Sequence, residues 1–198
     1  MTPAATLTLT PAAAPGRDVS KRLRARSRAT GGLVLSLFGA LWAAGGVLLS
    51  GSLDGAWIVI ASLLAAFVVR SVQLLRANPR VAAPLAADVV ERQRRAGRIF
   101  AWTGAGEGLG IFLAVNLVVN LGHPQWQAAA AMFVVGLHFL PLAIAFGYRP
   151  HLVTSVAMTA WALGYPWLLA AGALAPLGLF GAAAILFASA AWALRSAR

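Results

Sequence analysis

Six apolar segments of about twenty residues each, at 31–50, 56–75, 99–121, 126–147, 152–173 and 176–194, leave this chain few ways to fold. At 1.5 Å rise per residue, about 20 residues of helix cross a hydrocarbon core of roughly 30 Å. In lipid a helix satisfies its own backbone, and the segments lack the apolar-polar alternation of barrel strands. The composition agrees. Of the 198 residues 60% are hydrophobic and 11% charged, against roughly 45 to 50% and 25% in soluble domains. The expected fold class is all-α: a polytopic transmembrane helix bundle of about six spans filling residues 29–198.

The placement of charge orients that bundle. Of 16 basic residues, six lie between Arg17 and Arg28, seven between Arg70 and Arg98, and the last are Arg149, Arg195 and Arg198. The connections SGSLDG and GHPQ, and the one around Pro176, hold none. Basic and neutral connections therefore alternate, which puts both termini in the cytoplasm because arginine and lysine resist translocation. The formal charge of +11 reads as a topology signal and a contact with anionic lipid head groups, not as a nucleic-acid footprint. No cysteine is present, which removes disulfides, thiolate metal sites and thiol catalysis. Fifteen of the 16 basic residues are arginine and alanine is abundant, a coding bias that hints at a bacterial source.

Residues 1–28 read as a disordered basic leader: three prolines and no charge over 1–16, then the basic run. The apolar stretch after it exceeds the roughly 7 to 15 residues of a signal-peptide core, so it is expected to stay as an anchor. The linker 76–98 is expected to form a cytoplasmic amphipathic helix from Pro84, with Asp88 set against Arg92 and Glu91 against Arg95 at i, i+4. Such basic connectors commonly lie at the membrane surface.

A charge near the middle of a bilayer costs at least about 2.5 to 3.5 kcal/mol, so an ionisable group there is a functional candidate. Two residues qualify. Glu107 lies roughly 4.5 Å, and His138 roughly 2 Å, to the cytoplasmic side of the middles of segments three and four. A short loop makes those segments antiparallel neighbours, so the two groups are expected to face each other as a proton-responsive pair. Burial and mutual attraction oppose each other in such a pair, which titrates as a unit. In GAGEGLG, Gly104 and Gly108 lie on one flank of Glu107 and Gly106 and Gly110 on the other. Small residues on both flanks predict close approach by two neighbouring helices.

Segment four aligns Gln127, Ala131, Val134, His138, Pro141 and Ala145 on one face. Pro141 leaves the carbonyl of Leu137 free one turn from His138. Segment five carries Pro166, with Ser155 and Thr159 on its face and Thr154 and Tyr165 beside it. Broken helices of this kind line the cavities of transporters, which makes Gln127, Pro141, Thr159 and Pro166 candidate cavity or hinge residues. Asn116 and Asn120 share a face of segment three and are expected to hydrogen-bond between helices. Arg70 is expected to snorkel to the head groups. Trp57, Trp102, Trp126 and Trp192 lie near segment ends, where tryptophan gathers at membrane interfaces, and Trp161 is mid-span.

His123 and His151 fall in loops at opposite faces, and one histidine with one carboxylate is too few ligands for a metal. Neither GxSxG nor HExxH occurs, so no catalytic residue is assigned and no cofactor is called for. The run Gly136 to Pro141 reads G-x-H-x-x-P in mid-helix. It resembles a pattern in small multi-span bacterial membrane proteins classed as a domain of unknown function. That resemblance implies a helical inner-membrane protein with His138 in a characteristic position. Glu107 lies outside the matched stretch. The leading expectation is a small transporter, channel-like protein or accessory subunit. The alternatives are a structural or regulatory protein, whose helix faces or basic loop meet a membrane protein partner or a second copy, and an intramembrane lipid-modifying enzyme.

Overall fold

The structure, a computed structural model, describes residues 15–51, 54–80, 87–169 and 171–197. Six helices account for nearly all of them: α1 (Pro15–Ser50), α2 (Asp54–Ala77), α3 (Ala87–Asn120), α4 (Gln127–Phe146), α5 (Arg149–Leu168) and α6 (Pro176–Arg195). Single 3-10 turns at Pro124–Trp126 and Gly172–Leu174 complete the connections, and there is no strand among the described residues. Among the described residues Gly51, Gly122, Gly147 and Gly172 are left-handed, and two of them close helices. At Gly122 (φ 78°) the N–H of His123 reaches back to the carbonyl of Val118 at 2.8 Å, and at Gly147 (φ 57°) that of Tyr148 reaches Ala143 at 3.2 Å. Each closes the last turn of a helix with carbonyls that lipid could not satisfy.

All of these helices except α5 are long and apolar enough to cross a membrane. α5 has the 20 residues of α4 and α6 but is more polar than the sequence reading of segment five allowed. It ends at Leu168, two residues past Pro166 and short of the expected residue 173. Its neighbours accommodate that polarity. Val153, Val156, Leu163 and Trp167 form an exposed apolar stripe at helical spacing, whereas Thr154, Ser155, Met158, Ala162 and Tyr165 are buried between α4 and α6. Thr154 Oγ1 reaches the carbonyl of Pro150 at 3.0 Å and Ser189 Oγ of α6 at 2.7 Å.

In space the helices follow the order α2, α1, α6, α5, α4, α3, each packed chiefly on the next. Met132, Met158, Tyr165, Ala182, Leu186 and Ala190 form the centre, where α4, α5 and α6 meet. The first and last helices join through a complementary heptad. Gly32, Gly39 and Gly46 of α1 lie under Leu194, Phe187 and Phe180 of α6; a Cβ added at those glycines would come within 2.7, 3.3 and 2.8 Å of the respective side chains. Absence of side chains on one helix lets large ones on the other lie close to its backbone, which is how membrane helices gain packing without a hydrophobic drive between them.

The basic run Arg17–Arg28, expected in a disordered leader, is instead helix continuous with the first span. It holds neither glycine nor proline, so nothing in it interrupts the helix. Of the tail expected over residues 1–16, the last two residues already belong to α1 and the rest lie outside the described residues, as does the helix start at Pro84. In α3 the expected Asp88–Arg92 pair forms at 2.5 Å, while Glu91 pairs with Arg98 at 3.4 Å in place of Arg95. With 36 and 34 residues, α1 and α3 are about 54 and 51 Å long, well beyond a hydrocarbon core of roughly 30 Å. Their basic ends project from the same end of the bundle. There Arg26 donates to the carbonyls of Leu75 (3.3 Å) and Asn78 (2.7 Å) at the end of α2. Arg28 donates to the carbonyl of Ser196 beyond α6 and lies over the Tyr148 ring, 5.3 Å from its centroid. Cations on helix C-terminal carbonyls are favourable to both hydrogen bonding and the helix dipole.

Candidate functional site

Glu107 and His138 meet where α3 crosses α4. Thr103, Glu107 and Gly110 fall on one face of α3 at helical spacing, and Val134 and His138 do so on α4. A Cβ on Gly110 would come within 2.9 Å of Val134, so the helices pack tightly about one turn from the glutamate. The carboxylate oxygen Oε2 of Glu107 is 3.4 Å from Nδ1 of His138, and the two side chains are 21% and 11% exposed. The same nitrogen is 3.3 Å from the backbone carbonyl of Thr103. A carbonyl only accepts, so the neutral imidazole is best placed with its proton on Nδ1 and Nε2 left as the acceptor.

His151, expected in a loop, is in the first turn of α5. Its ring packs against Phe139 (centroids 5.8 Å apart), Phe146 (6.3 Å) and Tyr148 (5.0 Å). Phe139 also lies edge-on to His138 at 5.6 Å. His151 was missed as a neighbour of the site because the α4–α5 turn is two residues long, which carries the start of α5 back over the last turns of α4. No group of three metal-binding side chains occurs among the described residues.

The flanks of Glu107 differ from expectation. Gly110 meets α4, but Gly104, Gly106 and Gly108 face open space, and α3 buries no residue. A single helix packs along α3, because α3 ends the spatial series. Asn116, expected to bond between helices, donates to Phe112 of its own helix at 2.7 Å, and Asn120 is exposed. Both point away from α4.

Of the candidate cavity residues, Gln127 is exposed, Pro141 is partly buried within an uninterrupted α4, and Pro166 is buried in the last turn of α5. Thr159 meets α4 at Gly136, where a Cβ would collide with its backbone; its hydroxyl is buried without a hydrogen-bond partner among the described residues. Trp161 packs on Gly181 and donates to the carbonyl of Gly178 at 2.8 Å, a structural contact between α5 and α6.

Two grooves stand out. One of about 680 Å³, lined by residues such as Leu117, Val118, Ala130, Phe133, Ala162 and Trp167, opens between α3, α4 and α5. The other, of about 200 Å³, lies between α2 and α6 and includes Arg70 and Arg195. Glu107 and His138 line neither. The larger groove meets α3 no nearer than Ala114, seven residues or roughly 10 Å beyond Glu107. A lipid tail seated there would not meet the pair, so the lipid-modifying reading gains no geometry.

Fold and site together define an integral membrane protein, an α-helical bundle with one acid and one imidazole in contact inside it. Compared with family models, with curated proteins and with solved structures, the chain shows no match.

Proposed function

We propose that this chain is a small proton-responsive membrane protein of transporter, channel-like or accessory type, with its basic end in the cytoplasm of a bacterial inner membrane. The observation that carries the reading is the 3.4 Å contact between Glu107 and His138. An ionisable pair at that depth is costly to insert, and a helix seam can be held by apolar packing alone. Coulomb attraction between carboxylate and imidazolium draws α3 and α4 together, and loss or gain of a proton removes it. Thr103 supplies the remaining acceptor, and His151, behind Phe139, is the further titratable group facing the site from α5.

The test is proton uptake by proteoliposomes carrying the full chain. Flux in the wild type, lost in both Glu107→Gln and His138→Ala, is the expected result. Flux unchanged in either variant would overturn the role of the pair. Absence of wild-type flux would leave the transporter class without support and favour the accessory type.

A second reading, a structural or regulatory protein that binds a partner or a second copy through its helix faces, is favoured by one observation. α3 buries nothing and presents Gly104, Gly106 and Gly108 unpacked. It predicts a co-purifying protein or a stable oligomer, and tolerance of Glu107→Gln.

A further inference from the structure

The groove between α2 and α6 is lined by two arginines. Ala66, Phe67 and Arg70 of α2 and Ala191, Leu194 and Arg195 of α6 line its roughly 200 Å³. Both helices run toward the basic end, so Arg70 on α2 and Arg195 on α6 are, on each helix, the lining residues nearest that end. Ala66, Phe67 and Ala191 lie deeper in the bilayer, with Phe67 stacked on Phe187 at 5.5 Å. The lining is thus amphiphilic in the direction a lipid is, charged at the surface and apolar toward the middle.

The two charges have little to neutralise them. Arg70 has a long 3.4 Å contact to the neutral Gln73, and Arg195 makes no hydrogen bond or ion pair among the described residues. Three acidic side chains are described in contact with anything, Asp88, Glu91 and Glu107, and all belong to α3, which packs on α4. Snorkelling brings one arginine to the head groups, but it gives no reason for two like charges to line one groove. A phosphate between them removes the repulsion and matches the guanidinium fork.

We propose that this groove is a binding site for one anionic phospholipid, its phosphate held by Arg70 and Arg195 and an acyl chain laid along Ala66, Phe67 and Ala191. The apolar lower half selects a lipid over a free phosphate. Basic pockets between membrane helices on the cytoplasmic side are suited to such head groups.

The experiment is native mass spectrometry of the full chain in non-ionic detergent, titrated with phosphatidylglycerol, with phosphatidylcholine and with inorganic phosphate. Phosphatidylglycerol adducts are expected to survive about tenfold better than phosphatidylcholine adducts, and to fall by a similar factor in the Arg70→Gln/Arg195→Gln double variant. Arg76→Gln/Arg80→Gln, which removes two charges at the same end but outside the groove, should leave them unchanged. Ala66→Phe fills the groove at an exposed position without touching charge and should also weaken the lipid adduct. That keeps the site testable should the double arginine variant fail to fold. Equal retention of both lipids, equal loss in the Arg76/Arg80 control, or full displacement of phosphatidylglycerol by inorganic phosphate would overturn the proposal.

Discussion

His138 is where a single residue carries most. Its Nδ1 faces the Thr103 carbonyl and the Glu107 carboxylate at once, so substitution can separate hydrogen bonding from titration. Asparagine places an amide N–H where Nδ1–H stood but cannot change its charge. His138→Asn is expected to keep the thermal stability within about 1 kcal/mol of wild type, while His138→Ala loses about 1 to 3 kcal/mol by stranding the acid. Spin labels on Leu109→Cys and Ile144→Cys, the only thiols in such a chain, would report the seam: their separation is expected to grow in His138→Ala and to stay at the wild-type value in His138→Asn. At Thr159 the buried hydroxyl lacks a partner among the described residues, so Thr159→Val should raise stability by about 1 kcal/mol, read as an upward shift in thermal unfolding. Depth along a helix was readable for both members of the pair from their positions in segments three and four. The Thr103 carbonyl and the approach of His151 were not, since they depend on helix rotation and on a two-residue turn.

Glycine means different things on different helices. In α1 each of Gly32, Gly39 and Gly46 lies under a large side chain of α6, whereas Gly104 of α3 has nothing within 4 Å. Gly46→Leu should cost about 1 to 3 kcal/mol by forcing Phe180 off the α1 backbone. Gly104→Leu should be neutral, or more stable by up to about 1 kcal/mol through helix propensity. Thermal unfolding in detergent and in nanodiscs would compare them. A large loss at Gly104 in nanodiscs alone would show a partner seated on α3 in the bilayer. The seven-residue spacing of Gly32, Gly39 and Gly46, matched by Phe180, Phe187 and Leu194, was present in the sequence as a signal for the α1–α6 pair. Nothing local marks two such repeats as partners when 134 positions separate Gly46 from Phe180. The polarity of α5 was visible as well, in Thr154, Ser155 and Thr159, but its meaning came from the flanking of α5 by α4 and α6.

Across the whole molecule, the contacts of Arg26, Arg28 and Tyr148 with the ends of α2 and α6 place the described basic termini at one end of the bundle. That arrangement predicts the result of topology reporters. Alkaline phosphatase fused after Gly51 or Gly122 should be active, being on the far side of the membrane, and should be inactive after Arg149 or Arg198. Activity at all four sites, or at the reverse pair, would sink the orientation proposed above. Exchange of Arg26 and Arg28 for glutamine should loosen α1 from α2 and α6 at that end. Faster proteolysis near Asn78 and Ser196 would show it.

Length, apolarity and the grouping of arginine were sufficient to define a multi-span helical bundle, because lipid leaves an unpaired backbone no other solution and each span must reach across the same thickness. They also placed Glu107 and His138 at nearly the same depth, since rise per residue is constant. Which helices become neighbours was decided by tertiary packing alone. The open edges at α2 and α3, the seating of α1 on α6, the exposed glycines beside Glu107 and the lining of one groove by Arg70 and Arg195 all depend on how helices rotate and pair. Those choices are set by side-chain fit between segments far apart in the chain, and no local pattern in a single segment encodes them.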